Sequence, residues 1–403
     1  MRILNNLFEK LHDRVPKKSV QTVSGYYTHV SYLYSIVRTV LFMFLTLFLA
    51  IAVITNAKAD THENIIYLFK DFNLLVTSDG KDSDVMDYIS DTNMNFAEYK
   101  SGLCVVGNNN ITIFTSSGRK TLHETINYSA PRIEVSTKYL LAYDLGGTEF
   151  SLYNSTACLD FETLDYPISG AYISDSGIYA IITKNAEYQG VVNIYDNRSN
   201  LIAKYEKNKY ISDVAIDSRG EKIAVVAFTQ NEGTFDSELT IYNIGSTDTL
   251  SVIEKNSLVL QCSINKDEYI NVVFNNMFCS YDKSGQLKNK YEYSNNELIY
   301  ASTNNIGTVL QMQDENSENL IIMFDTKGKI VYNNKINYEI KNIYFNEDYL
   351  FISKDKIIEI HNIKSEIVKT VEVDYDFDTI LIRSNTEFIL CNRSRAINFN
   401  CKY

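Results

Sequence analysis

The sequence has no tryptophan, only three prolines and only five histidines among its 403 residues. Without tryptophan it lacks both the blade-locking motifs of quinoprotein propellers and the sugar-stacking side chains of many lectin propellers. The histidines show no metal-binding spacing with cysteines or carboxylates, and there is no Gly-x-Ser-x-Gly or phosphate-binding glycine motif. We therefore predict no enzyme activity, no catalytic residues, no cofactor and no metal. The five histidines are His12, His29, His62, His123 and His361.

The six cysteines form no Cys-x-x-Cys pair. Cys391 and Cys401 flank one predicted hairpin, but a turn near Ser394 places Cys391 opposite a residue near Ile397. A direct disulfide between the two is therefore not expected, and buried free thiols are the default interpretation. The cysteines are Cys104, Cys158, Cys262, Cys279, Cys391 and Cys401.

The formal charge of −12 is unevenly distributed. Residues 1–38 carry a net charge of +4, so the remaining chain carries −16. An acidic domain repels polyanions, which argues against a nucleic-acid partner. The basic N-terminal segment suits the surface of an anionic membrane.

One apolar segment is long enough to cross a membrane. Thr39 to Ala57 are 19 uncharged residues, and a spanning helix needs roughly 20. We predict a transmembrane helix at 38–58, in contact with the lipid bilayer. Because lysine and arginine concentrate before it, residues 1–37 are expected in the cytoplasm and the C-terminal domain outside. Ala57-Lys58-Ala59 also fits a signal-peptidase site with cleavage after Ala59, but the long segment before the apolar run favours a retained anchor.

The segments on either side of this helix have simpler interpretations. Within the head, residues 1–37, six apolar residues lie on one face of a short helix. This helix either lies on the inner membrane surface, docks a cytoplasmic partner or only orients the anchor. Residues 59–83 are predicted to be a stalk. The apolar residues are Ile3, Leu4, Leu7, Phe8, Leu11 and Val15.

A short motif recurs through the rest of the chain, consisting of an apolar or small residue, an aromatic and Asp or Asn. Its aromatic position recurs at steps of 39, 42, 47, 39, 43, 37 and 38 residues. A period near 40 with strand-like units is typical of a β-propeller. The motif's Asp or Asn is expected to bond nearby backbone N–H groups in a turn. The aromatic positions are Phe114, Tyr153, Tyr195, Tyr242, Tyr281, Phe324, His361 (a histidine substitution) and Phe399.

Each repeat can be divided into four strands. In the unit from Ile168 to Tyr210, the strands GAYIS, IYAIIT, VVNIYD and LIAKYE are separated by turns of Gly, Asn, Asp and Ser. Second strands are apolar throughout, which suits strands covered on both faces. The sequence thus predicts an all-β, eight-bladed propeller at 84–403, with seven blades as the alternative.

The eighth repeat ends before its fourth strand. The stretch 84–90, DVMDYIS, lies immediately before the first strand of the first repeat. We predict that it completes the last blade, because this joins the two ends of the domain and covers an exposed sheet edge.

Three segments carry a resemblance to a known family: Tyr143 to Gly147, Ile173 to Gly177, and Ile194 to Asp196. The chain resembles a family of functionally uncharacterised single-pass membrane proteins of anaerobic Gram-positive bacteria. The similarity extends over essentially the whole chain and is strongest at 100–245. It implies a short cytoplasmic head, one transmembrane helix and a propeller-like outer domain, and it implies no catalytic residues.

The sequence therefore favours a membrane-anchored, extracytoplasmic propeller that serves as a scaffold for an envelope protein or a cell-wall component. One alternative is a cell-envelope hydrolase acting on glycan or peptide at the central face, where two carboxylates could converge. A second alternative is a transmembrane sensor that reports to the cytoplasmic head.

Overall fold

The computed structural model describes residues 25–55, 84–246, 249–346, 348–364 and 366–401. The predicted amphipathic helix in the head and the stalk at 59–83 lie outside these residues. Two units are described separately: an N-terminal helix, and a β domain that lies within Val76–Tyr403.

Helix α1 runs from Gly25 to Thr55, 31 residues. It begins well before the expected start at 38, because no Pro or Gly interrupts the chain between Tyr26 and Arg38. Every described side chain from Val30 to Leu47 is exposed, including Phe44 at 68%. By length and apolar composition the helix could cross a membrane.

The β domain contains eight four-stranded antiparallel sheets, which are the blades of an eight-bladed propeller. Seven blades use four consecutive strands, and the seven-bladed alternative is excluded. Blade 1 consists of β2 to β5 (Met94–Tyr99, Gly102–Gly107, Asn110–Phe114, Lys120–Thr125), and blade 2 consists of β6 to β9 (Pro131–Val135, Leu140–Asp144, Glu149–Tyr153, Cys158–Thr163). Blade 3 consists of β10 to β13 (Gly170–Ile173, Tyr179–Thr183, Gly190–Tyr195, Leu201–Lys207), and blade 4 consists of β14 to β17 (Tyr210–Ile216, Lys222–Asn231, Thr234–Asn243, Thr249–Glu254). Blades 5 to 7 are β18 to β21 (Val259–Ile264, Ile270–Phe274, Met277–Tyr281, Leu287–Glu292), β22 to β25 (Glu297–Asn304, Gly307–Gln313, Asn319–Phe324, Ile330–Ile336) and β26 to β29 (Asn342–Phe345, Tyr349–Lys354, Ile357–Asn362, Ile367–Glu372).

Blade 8 combines the two ends of the domain. Its strands are β30 (Thr379–Ile382), β31 (Glu387–Cys391), β32 (Arg395–Asn400) and β1 (Val85–Asp87), and β1 pairs antiparallel with β32. The fourth strand of the last blade is thus supplied from the region 84–90 where the incomplete repeat led us to expect it.

Two side chains fix β1 in the core between blades 8 and 1. Met86 is 1% exposed and packs in a cluster with Leu103, Phe114 and Ile389. The Tyr88 hydroxyl donates a hydrogen bond to the Asn392 carbonyl at 2.6 Å. Met86 of β1 and the following Tyr88 therefore contact both blades, so this segment closes the ring as well as completing a sheet.

All eight recurring aromatic positions lie in third strands, which confirms the repeat assignment. The expected turn chemistry is also confirmed. The Asp282 carboxylate accepts hydrogen bonds from the Ser284 and Gln286 backbone N–H groups at 2.9 and 3.0 Å. The residue Gly285 closes this turn with a φ of 72°, a conformation that suits glycine. Equivalent bonds are made by Asp196, Asp325 and Asn362.

This turn chemistry makes a stability prediction. Asp282→Ala removes the acceptor for two backbone N–H groups and the 2.9 Å ion pair with Lys288. We expect the free energy of unfolding, measured by urea denaturation, to fall by about 1–2 kcal/mol. Lys283→Ala in the same turn is the control and should cost less than about 0.5 kcal/mol, because its pairing with Glu268 is exposed. Equal losses in the two variants would contradict the assignment.

The core consists of apolar layers between neighbouring blades, built mainly from second and third strands. All six cysteines are free, and five of them are buried, whereas Cys158 is half-buried. Cys391 lies opposite Ala396 in the pairing of β31 with β32, so the expected absence of a bridge to Cys401 is confirmed.

Candidate functional site: the axial channel and its rim

The antiparallel order within each blade gives the propeller one face on which all first strands begin. The same face carries the second-to-third turns and the linkers between blades, and we call it the linker face. A cleft of about 430 Å³ opens on it beside Leu145, Ile182 and Tyr210. Another, of about 890 Å³, lies between blades 7 and 8 beside Lys341 and Arg393. These two clefts of the described propeller therefore open on the same face.

The strand register aligns one position across all eight first strands. In each blade, the recurring aromatic of the third strand pairs with a residue of the second strand. Three residues further along the second strand is the residue that pairs with this first-strand position. Seven of the eight side chains at this level are polar, and the eighth residue is Gly170. We call them the channel ring: Asn95, Arg132, Asp213, Gln261, Tyr300, Asn342 and Thr379.

From the alternation of burial along the first strands we infer that the channel ring faces the axis. The next residue in each strand belongs to a blade core, for example Ile133 at 8% exposure, Val214 at 0% and Ile380 at 1%. The residue after that is again partly exposed in most blades, as at Glu134 and Tyr172. Since successive side chains of a strand point to opposite sides, both partly exposed levels line the central channel.

Two channel carboxyls have strongly raised pKa values. Burial, with a contribution from the charge of Asp213, raises the pKa of Glu134 to about 8. Burial raises the pKa of Asp213 to about 7, against the opposing effect of the Cys262 and Val214 backbone N–H groups. Both groups therefore titrate near neutral pH, which is common where carboxyls serve in binding or catalysis. We call Glu134 and Asp213 the acid pair.

The two carboxyls of the acid pair differ in their hydrogen bonds. Asp213 accepts the Cys262 N–H at 2.9 Å and its neighbour's N–H at 2.8 Å, which joins the first strands of blades 4 and 5. No described residue donates a hydrogen bond to Glu134. The phenols of Tyr143 and Tyr172 share this region. Burial raises the pKa values of both phenols, and the charges of Glu134 and Asp213 raise them further.

Large aliphatic and tyrosine side chains surround the channel mouth on one side, and one of them, Tyr300, also belongs to the channel ring. We call them the rim arc: Tyr210 (54% exposed), Leu260 (36%), Ile299 (48%) and Tyr300 (41%). Leu260 and Ile299 occupy equivalent β-bulges in blades 5 and 6, as Ser212 does in blade 4. A bulge re-aims a side chain that a regular strand would place in the sheet. The Ser212 hydroxyl donates to the Leu260 carbonyl at 3.0 Å, so the arc is continuous between these blades.

The hairpin formed by β15 and β16 of blade 4 is long and lies beside the rim arc. Strands β15 and β16 have 10 residues each, whereas the second strand of blade 5 has 5. At its base the ring of Phe228 lies 5.7 Å from that of Tyr210 and 5.8 Å from that of Phe235. The hairpin therefore forms an aromatic wall at one end of the arc.

The histidine at the recurring aromatic position has a structural role. His361 is 2% exposed, its Nδ1 lies 3.1 Å from the Tyr332 hydroxyl, and its Nε2 lies 3.3 Å from Glu359. Burial lowers its pKa despite the opposing charge of Glu359. Packing thus explains His361, as expected from the sequence. Within the described ranges no group of three or more metal-ligating side chains could hold a metal ion.

The profile described as "Family of unknown function (DUF5711)" matches residues 80–397. The chain belongs to this family. None of the curated proteins matches the sequence. The family description assigns no activity to this DUF5711 protein, and the family match by itself addresses neither the membrane anchor nor the bacterial source implied by the resemblance.

Solved structures are similar to the DUF5711 protein in fold only. One is apo AztD from Citrobacter koseri, with 9% identity, 77% of this chain and 90% of that chain covered, and a TM-score of 0.49. Another is the β-propeller domain of Cps50 (Swd1) from Myceliophteria thermophila, with 9% identity, 80% and 99% coverage, and a TM-score of 0.48. A third is Hsv2 from Kluyvelomyces marxianus, with 10% identity, 72% and 100% coverage, and a TM-score of 0.47.

Sequence reasoning on the DUF5711 protein identified no site residue, and the channel ring and rim arc were missed. The 47-residue step between Tyr195 and Tyr242 does mark the blade with the long hairpin. The acid pair gave no comparable signal, because Glu134 and Asp213 lie 79 positions apart in unremarkable strands. They lie on the first strands of blades 2 and 4, and only closure of the ring places both strands around one axis.

Proposed function

We propose that this chain is a membrane-anchored propeller that lies outside the cytoplasm and binds an envelope protein or cell-wall component on its linker face. The observation that carries the binding role is the rim arc, where four large apolar side chains remain exposed around a polar channel. Exposed apolar patches of this kind mark interaction sites on soluble domains. The bulges at Leu260 and Ile299 support the proposal, because they direct apolar side chains outward where core packing would be the alternative.

The anchor rests on different observations. The described apolar side chains of α1 are exposed, and a lipid bilayer would cover them. The excess of lysine and arginine before the apolar run supports a cytoplasmic head. We expect alkaline phosphatase fused after the propeller to be active in cells, and the same fusion without α1 to be inactive. Equal activity of the two fusions would contradict the topology.

Site-specific photo-crosslinking tests the binding face. A photoreactive amino acid at position 299 is expected to yield a discrete adduct in membranes, which Leu260→Asp should abolish. The matched control is position 253, where Ile253 is 60% exposed but lies on the outer strand of blade 4. Ile253→Asp should leave the adduct at 299 intact. The same adducts from photoreactive residues at positions 253 and 299, or no adduct at 299, would argue against the linker face as the binding surface.

A hydrolase remains the second candidate, because the acid pair titrates near neutral pH. A general acid works best with a pKa near the operating pH, and two carboxyls in one cleft could divide the acid and base roles. If so, cell-wall glycan or peptide should be cleaved by the intact chain and not by Glu134→Gln or Asp213→Asn. The absence of enzyme activity and the sensor role both stay predictions.

A further inference from the structure

We propose that one water molecule is bound inside the propeller, between blades 5 and 6, by the amide of Asn271 and the hydroxyl of Ser280. Neither residue lines the clefts of the linker face, so the site does not depend on the proposed binding role. It belongs to a line of polar side chains that crosses blade 5.

The strand register forms this line from all four strands of the blade. Ser263 of β18 lies opposite Asn271 of β19. Ser280 of β20 lies on the other side of Asn271, and Asn289 of β21 lies opposite Ser280. We call these four residues the polar row. Opposed residues of an antiparallel pair have Cα atoms about 4.5–5.5 Å apart, so one small molecule can contact two neighbouring side chains of the row.

An amide at position 271 is specific to blade 5. Asn271 directly follows the second-strand partner of the recurring aromatic. The other seven blades have an aliphatic residue, a phenylalanine or a cysteine there, and each is at most 1% exposed. Packing between blades therefore does not require a polar group at this level. The seven residues are Cys104, Leu141, Ala180, Ala224, Val309, Phe351 and Ile389.

The polar row faces blade 6. Val273 and Phe278 lie two residues from Asn271 and Ser280 along their strands, and they pack in one cluster with Phe324 of blade 6. Alternate residues of a strand point to the same side of a sheet. Asn271 and Ser280 are therefore directed into the seam between blades 5 and 6.

The two ends of the polar row have hydrogen-bond partners in blade 6, whereas the middle has none. The hydroxyl of Ser263 lies 2.6 Å from that of Thr303, and the Asn289 amide donates to the Lys327 carbonyl at 2.6 Å. The two middle residues are 0% exposed. No described residue forms a hydrogen bond with their amide oxygen, amide nitrogen or hydroxyl. Buried groups of this kind are costly without a partner, and internal water commonly supplies one.

The chemistry of the site favours water over an ion. An amide offers two N–H donors and an oxygen acceptor, and a hydroxyl can take either role. A water molecule can likewise donate and accept, so it matches this mixed set. The polar row contains no charged side chain, so an ion enclosed there would have no countercharge. Full burial of Asn271 and Ser280 limits the ligand to a molecule of about this size.

A crystal structure of the full chain in detergent, at a resolution that shows ordered water, tests the site directly. We expect a water peak within about 2.7–3.2 Å of both the Asn271 amide and the Ser280 hydroxyl. The proposal is overturned if a protein atom bonds the amide there. It is also overturned if the map shows ordered waters elsewhere in the propeller and none in this seam.

The sign of a stability change gives a second test. If Ser280 bonds to water, Ser280→Ala removes a hydrogen bond, and the urea midpoint of the full chain should fall by about 0.3 M. If the hydroxyl has no partner, the same change removes an unpaired buried group, and the midpoint should rise. Ser218→Ala, at an exposed serine of a blade 4 turn, is the control and should leave the midpoint unchanged. A midpoint for Ser280→Ala equal to or above that of the parent chain would overturn the proposal.

Discussion

Met86→Asp is expected to lower the free energy of unfolding by more than about 4 kcal/mol. The side chain is 1% exposed and lies between blades 8 and 1, where the new carboxylate would pack against apolar side chains such as Leu103 and Phe114. Because β1 is three residues long, loss of this contact also removes the main attachment of the strand that seals the ring. Urea denaturation of the purified chain measures the effect.

The neighbouring residue provides the control for this prediction. Val85 is 39% exposed on the opposite side of the same strand, so Val85→Asp should change the free energy of unfolding by less than about 0.5 kcal/mol. Both variants carry the same new charge within the same three residues. If the two variants destabilise the chain equally, β1 is not held by the inward side chain of Met86, and the role assigned to this side chain in closing the ring is wrong.

The stability of the propeller should fall as pH rises from about 5 to about 9. Glu134 and Asp213 have folded-state pKa values of about 8 and about 7, above their ordinary values of 4.5 and 3.8. The folded chain thus binds more protons than the unfolded chain in this window. The stability these groups contribute is complete below pH 4 and is lost as pH passes their folded pKa values. At about 1.4 kcal/mol per pKa unit, each carboxyl accounts for roughly 4–5 kcal/mol over the whole range.

Glu134→Gln is expected to remove a large part of this pH dependence, because glutamine has the shape of the protonated acid and does not ionise. The variant should match the parent chain near pH 5 and exceed its unfolding midpoint at pH 9. Glu297→Gln, an exposed carboxylate at the start of β22, should leave the pH profile unchanged. A parent chain that becomes more stable toward pH 9 would contradict the assigned burial of the acid pair.

The fold was predictable because its signals are local and repeated. A motif such as Ile194-Tyr195-Asp196 encodes a strand end and its turn within a few residues, and eight copies favoured eight blades over the seven-bladed alternative. The incomplete last copy even indicated where the closing strand would come from. Bulges at Leu260 and Ile299 were not predictable, since a bulge adds one residue to a strand without changing its composition.

The site was not predictable for a physical reason. Glu134 and Arg132 flank the buried Ile133, an alternation that any half-exposed strand could show. Whether these side chains line the channel depends on which strand of the blade lies innermost and on which strands lie beside it around the axis.

By itself the sequence determined a propeller of seven or eight blades, the turn chemistry and an apolar helix, because these follow from residue spacing and local backbone bonds, and the structure decided for eight. Only the tertiary structure decided which side chains share the channel. Closure of the ring places residues from eight distant strands at one level, and burial there shifts the pKa of Glu134 and Asp213 far from the values that their sequence neighbours would give.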